Sequence, residues 1–311
     1  MFLKIPLRVL SGTENDMKIL NFGSCNIDIV CGVDHIVRPG ETVSAESVEH
    51  FVGGKGLNQS VALANAGAEV YHAGCIGADG GILRSFMEEK GINLKYLRVT
   101  DGKSGQATIQ VDKNGENAIF LYKGANHEIT KEYVDSVLSD FSRGDFLVLQ
   151  NEINNVDYIV EKAYDRGMRI FFNPAPFNDV SAKIDLSKLY CIIPNAIESS
   201  GYTGSDDYKA FAQLIAKKYP DLTAVITLGK DGCVYIDKNC EIRQNAFEVK
   251  TVDTTAAGDT FVGYFVAEIS RGKEPSDAIR TACAAAALTV SRKGAAPSIP
   301  RAYEVAEFLN N

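Results

Sequence analysis

The chain has 311 residues, 45% of them hydrophobic and 23% charged, with a formal net charge of -8. That length suits one large α/β domain or two smaller ones, and the apolar fraction is enough for an ordinary buried core. Acidic and basic residues are interspersed with no basic stripe, which argues against a nucleic-acid surface.

Residues 1–16 hold a short apolar stretch, Phe2 to Leu10, interrupted by Lys4, Pro6 and Arg8. It is too short and too broken for a signal peptide or a membrane span. It reads as an N-terminal extension ahead of Met17. The expected strands are Lys18–Phe22, Glu69–Gly74, Phe146–Gln150, Arg169–Asn173, Tyr190–Pro194 and Ala224–Leu228. Helical patterns lie between them at Gly56–Ala66, Gly80–Lys90, Lys131–Ser139, Asn155–Asp165 and Asp207–Lys218. The strands are apolar without alternation, so both of their faces are expected to be buried, in a parallel sheet covered by helices.

Two stretches break that rhythm. Val30–Val52 reads as extended, with a turn at Arg38-Pro39-Gly40. Tyr96–Tyr122 reads as two strands joined at Asp112-Lys113-Asn114-Gly115. We expect a discontinuous β lid of residues 30–52 and 95–122 on a core of 17–29, 53–94 and 123–311; two unrelated surface hairpins are the plainer alternative. A lid with one apolar face needs a partner, which points to a homodimer through the lids. Toward the C-terminus a hairpin, Gly232–Asp237 with Glu241–Val249, precedes helices at Gly258–Ser270 and Ser276–Val290. The second carries Ala284-Ala285-Ala286-Ala287, small enough to pack closely on a neighbour or ligand. The seven cysteines form no CxxC pair and read as reduced thiols of a cytoplasmic protein. The four histidines show no metal spacing.

Three motifs carry chemistry. In Asp253-Thr254-Thr255-Ala256-Ala257-Gly258-Asp259 a strand end meets a helix start. The first turn of a helix offers free N–H groups to an anion, and Ala256, Ala257 and Gly258 are too small to block approach. Asp259, in the same turn, can accept a proton from an attacking hydroxyl; a plain helix-dipole partner fits the spacing equally well. In Gly53-Gly54-Lys55-Gly56-Leu57-Asn58 the glycines allow a tight turn and Asn58 faces back to it, for a polyhydroxylated ligand or for structure alone. No GxxxxGK[ST] phosphate loop is present. Asn26 and Asp28 follow the first strand, where an Asx turn is the plain alternative. Glu152 follows Phe146–Gln150, and Asn195 and Glu198 follow Tyr190–Pro194, where oxygens can hold water around Mg2+.

Together these motifs resemble the PfkB family of carbohydrate kinases, its ribokinase members most closely, from about Met17 to the end. The resemblance implies a ribokinase-like three-layer αβα sandwich with a mostly parallel central sheet and a small β lid. It implies ATP-dependent phosphorylation of the primary hydroxyl of a pentose, ribose first, with Asp259 as base and Ala256, Ala257 and Gly258 as anion hole. Asn26, Asp28, Gly54, Lys55, Asn58 and Glu152 would grip the sugar, and Asn195, Thr227, Gly229, Gly232, Gly258 and Cys283 would contact ATP. Asn195 and Glu198 would serve Mg2+ through water; Asp253, Thr255, Gly294 and Ser298 would form a K+ region. Cys283 stands where His or Asn is common near the adenine. Gln106, Gln110 and Tyr122-Lys123 depart from the lid pattern, which leaves another sugar or a nucleoside as alternative acceptor. A non-catalytic sugar sensor would not need Asp259 and its anion hole. A dinucleotide-dependent oxidoreductase would need GxGxxG where Gly23-Ser24-Cys25 stands.

Overall fold

The computed structural model describes residues 17–311; the expected N-terminal extension lies outside them. β1 (Ile19–Phe22) is followed by β2 (Asn26–Gly32), β3 (Ser47–Gly53) and α1 (Lys55–Asn65). Next come β4 (Val70–Ile76), α2 (Gly81–Glu89), β5 (Asn93–Val99), and the hairpin of β6 (Gly105–Val111) and β7 (Asn117–Tyr122). The middle of the chain holds α3 (Lys131–Leu138), β8 (Phe146–Gln150), α4 (Val156–Asp165), β9 (Arg169–Asn173) and β10 (Cys191–Ile192). It continues with α5 (Ala196–Thr203), α6 (Tyr208–Lys218) and β11 (Thr223–Thr227). The last elements are β12 (Cys233–Ile236), β13 (Glu241–Gln244), α7 (Ala257–Ser270), α8 (Pro275–Val290) and α9 (Ala302–Asn310).

One nine-stranded sheet runs β13-β12-β11-β10-β9-β8-β1-β4-β5. Every pairing from β5 to β11 is parallel, and the last two are antiparallel. Successive strand residues point to opposite faces, and each face has its own core. Phe146 and Val148 of β8 pack with α1, α2, α7, α8 and α9, whereas Leu147 and Leu149 pack with α3, α4 and α6. The unbroken apolar strand runs follow from this double burial, which makes a three-layer sandwich.

A second sheet, β3-β2-β6-β7, pairs two segments far apart in sequence. Its limits differ from those expected. Strand β2 starts at Asn26, so residues 26–29 belong to this sheet rather than to the core. Residues 95–99, expected in the lid, lie in β5, the edge strand of the large sheet beside β4. An edge strand exposes polar side chains as a lid strand does, so its pattern alone does not separate the two. The strand expected at Tyr190–Pro194 contracts to two residues, and helices α5 and α9 had no counterpart in the expected elements. Among the described residues no helix is long and apolar enough to cross a membrane.

Candidate active site

The Gly-Gly turn is explained by its neighbours. A Cβ on Gly53 would lie 2.0 Å from Asp28 Oδ2, so only glycine lets that carboxylate rest against the backbone. Gly54 has φ 90° and starts α1, a conformation that side chains with a Cβ rarely adopt. The turn aims Asn58 and Gln59 at α7. Asn58 Nδ2 donates to Asp259 Oδ2 at 2.9 Å, and Gln59 Nε2 donates to Asp259 Oδ1 at 3.0 Å. Asp259 is 6% exposed. Its carboxylate accepts from α1 across the cleft while remaining in the first turn of its own helix. The residue that caps α7 is Ala256, at φ 60° with no side-chain cap bond. A left-handed alanine costs roughly 1–2 kcal/mol, and the residues that follow it, Ala257 and Gly258, line the neighbouring cavity. Ala257 N–H makes a long bond, 3.3 Å, to Thr254 O.

Around Asp259 the expected sugar residues converge. Glu152 Oε2 accepts from Ser24 Oγ at 2.6 Å and from the Lys55 backbone N–H at 2.9 Å. The Lys55 ammonium is pushed up chiefly by the Asp259 carboxylate, with Glu152 and Glu198 adding to it against burial. Burial pushes the Glu152 and Glu198 carboxyls up. Burial first, then the nearby Glu152 carboxylate, pushes Asp28 up to about 7. Asn26 Oδ1 accepts from Asn126 Nδ2 at 2.7 Å. Asn58 Oδ1 is buried with no hydrogen-bond partner among the described residues, an acceptor that a ligand hydroxyl would satisfy.

Beyond the α7 turn lies a cavity of about 740 Å³. Asn195, Thr227, Gly229, Gly232, Gly258 and Cys283, the six expected ATP contacts, all line it, with Phe247, Val249 and Val290 as apolar walls. Thr254 and Ala257 also line it, so the cavity reaches the turn that carries Asp259.

Asn195 and Glu198 form a capping box at α5: Glu198 Oε2 accepts from Asn195 N at 2.9 Å and Oε1 from Asn195 Nδ2 at 3.0 Å. Their oxygens suit the water shell of a hard cation held by phosphates. Among the described residues no cluster of three His, Cys, Asp or Glu can hold a metal directly. Asp253 Oδ1 accepts from Thr255 N and Oγ1, and Oδ2 from Gly294 N at 3.0 Å, so the two segments of the expected K+ region touch. Ser298 Oγ donates to Ala295 O within its own turn. The side-chain donors there are all oxygen, which fits a hard monovalent ion.

Some neighbours were not in the expected set. Gln59 grips Asp259, Ser24 holds Glu152, and Asn126 holds Asn26. Only Gln59 had a signal, as a second amide beside Asn58. Gln110, one of the departures from the lid pattern, accepts from Val37 N at 3.0 Å. His72 is fully buried between Ser60 Oγ and Cys25 Sγ, and burial pushes it down to about 4, so it stays neutral. All seven cysteines are free.

Comparison with known proteins accords with this geometry. A ribokinase of Haemophilus influenzae is 36% identical over 300 residues, covering 93% of this chain and 97% of its own length. The structure of a Thermotoga maritima ribokinase matches with a TM-score of 0.84 at 36% identity, over 95% of this chain and 100% of that one. An Arabidopsis thaliana ribokinase complexed with ribose and ATP matches with a TM-score of 0.83 at 27% identity, over 95% and 99%. The fold is therefore the ribokinase-like sandwich that the motifs implied. Residues 16–302 match the description pfkB family carbohydrate kinase, and the chain belongs to that family.

Proposed function

We propose that this protein transfers the γ-phosphoryl group of ATP to the primary hydroxyl of D-ribose, giving ribose 5-phosphate. The observation that carries the reading is Asp259. Its carboxylate is buried, held on both oxygens, and set in the helix turn that borders the large cavity. Asn26, Asp28, Lys55, Asn58 and Glu152 grip the sugar hydroxyls, and Asn58 Oδ1 gains the donor it lacks. Asp259 takes the proton as the hydroxyl attacks in line. The first-turn N–H groups after Ala256 face the charge that builds on the phosphoryl oxygens. Catalysis is mainly positioning and charge stabilisation.

When bound, Mg2+ neutralises phosphate charge; Asn195 and Glu198 would hold its water shell. K+ would sit by Asp253, Thr255, Gly294 and Ser298, adding fixed positive charge beside the α7 turn. The second sheet is the lid. Val48, Ile119, Phe120, Leu121 and Tyr122 are exposed on it, and covering them with a second copy makes a homodimer. Free cysteines fit a cytoplasmic location.

The test is ADP release with Mg-ATP against ribose, deoxyribose, other pentoses, fructose and nucleosides, with and without potassium. Fast ribose-dependent turnover raised by potassium is expected. Turnover with a nucleoside alone would move the acceptor to that alternative. Sugar binding without any turnover would replace the kinase with a sensor.

A further inference from the structure

Two amides hold Asp259, and their surroundings differ. Asn58 keeps an unpartnered oxygen for a ligand. Gln59 is 0% exposed, and each of its polar atoms is engaged inside the protein. Its Nε2 donates to Asp259 Oδ1 at 3.0 Å and to Asn173 Oδ1 at 3.2 Å, and its Oε1 accepts from Gln150 Nε2 at 2.7 Å. Those partners are anchored in turn. Gln150 Nε2 also donates to Asn21 Oδ1 at 2.8 Å, Asn21 Nδ2 donates to Gly56 O at 2.6 Å, and Asn173 Nδ2 donates to Ile193 O at 2.8 Å.

Asn21, Gln150 and Asn173 lie on β1, β8 and β9, whose other residues are almost all apolar core. A buried amide costs stability unless its groups are paired. Gln150 Oε1 is buried without a partner, so this amide is oriented for its two donors at the expense of its acceptor. Turning the Gln59 amide over would set its oxygen against the Asp259 carboxylate and its NH2 against that of Gln150. Both contacts are repulsive, so the network admits one orientation of Gln59 and hence one rotation of the carboxylate it grips.

We propose that Gln59 is a positioning residue for phosphoryl transfer: from inside the core it locks the Asp259 carboxylate in the orientation that accepts the substrate proton. It touches neither sugar nor nucleotide. The inference rests on Asp259 being the base. Gln59 acts by geometry, through the hydrogen bond that fixes the carboxylate.

The experiment compares Gln59→Met, Gln150→Met and Asp259→Asn with the parent in steady-state kinetics across pH, with thermal unfolding alongside. Methionine keeps the length of the side chain and removes its N–H. For Gln59→Met, kcat is expected to fall about 10- to 100-fold, in keeping with a misplaced catalytic group. The sugar KM should stay within about threefold, so that the loss falls on kcat. Gln150→Met leaves Asp259 untouched but frees Gln59, so a smaller loss in the same direction is expected; it carries the test if Gln59→Met does not fold. A folded Gln59→Met within twofold of the parent kcat, or one that loses activity through KM alone, overturns the inference. If Asp259→Asn keeps full turnover, the base assignment fails and this inference with it. An inactive Asp259→Asn beside an unaffected Gln59→Met sinks the positioning role alone.

Discussion

At the end of the cleft proposed for the sugar, Asn26, Asn58 and Asp259 are buried, and with Glu152 they are tied by hydrogen bonds to neighbours from other elements, while the Asp28 carboxylate rests against Gly53. At the end proposed for the nucleotide the apolar walls are Phe247, Val249, Val290 and two alanines of α8, with Gly229, Gly232 and Gly258 and the polar side chains of Asn195, Thr227 and Thr254 also lining it. One end works through particular side chains whose places are set by hydrogen bonds. On the proposed function the other, with its apolar walls, works more through shape. Substitutions should therefore hurt far more at the first than at the second.

The sharpest test is Asp259→Asn. It removes the proposed base but keeps the volume, so turnover should drop by about 10²–10⁴-fold while calorimetry still detects sugar binding. Unchanged turnover would remove the chemical reason for the polar end. Next comes Gly53→Ala. Its Cβ would meet Asp28 Oδ2 at 2.0 Å, so the carboxylate must move. The sugar KM should rise at least about tenfold, equal to ~1.4 kcal/mol, with the ATP KM unchanged.

A pH effect comes third. Asp28 is pushed up to about 7, so the free protein takes up a proton there as pH falls through neutrality. Sugar hydroxyls that donate to it favour the ionised form. Sugar affinity should weaken below pH 7, and binding near pH 7 should release protons, read as a buffer-dependent calorimetric enthalpy. The sign for folding is opposite to that of an ion-paired carboxylate. A raised carboxyl adds stability below the unfolded carboxylate range and loses it as pH rises through about 7. Asp28→Asn should remove both effects.

The smallest change is expected from Cys283→Ala in the nucleotide cavity, with the ATP KM moving less than about threefold, since one thiol in an apolar wall contributes little beyond contact area. A larger shift there than Gly53→Ala makes in the sugar KM would break the contrast between the two ends.

Part of this was legible in the sequence because it is local. The apolar strand runs announced a parallel sheet covered on both faces, and the helix bounds came out within a residue or so. Gly53-Gly54 and Ala256-Ala257-Gly258-Asp259 stood out because small residues at a helix start serve few purposes. Less legible was β5, an edge strand whose mixed polarity imitates a lid strand, and β2, which joins the second sheet already at Asn26. Ser24 and Asn126 carry no periodicity that marks them as supports for Glu152 and Asn26.

Sequence by itself determined the sheet type, the turn that starts α7 and the residues able to serve as base and anion hole, since these follow from side-chain size, period and helix-end chemistry. Only the tertiary structure decided what Asp259 does with its oxygens. Its two donors stand 201 and 200 residues away in the chain, and only the packing of α1 against α7 brings them within 3.0 Å.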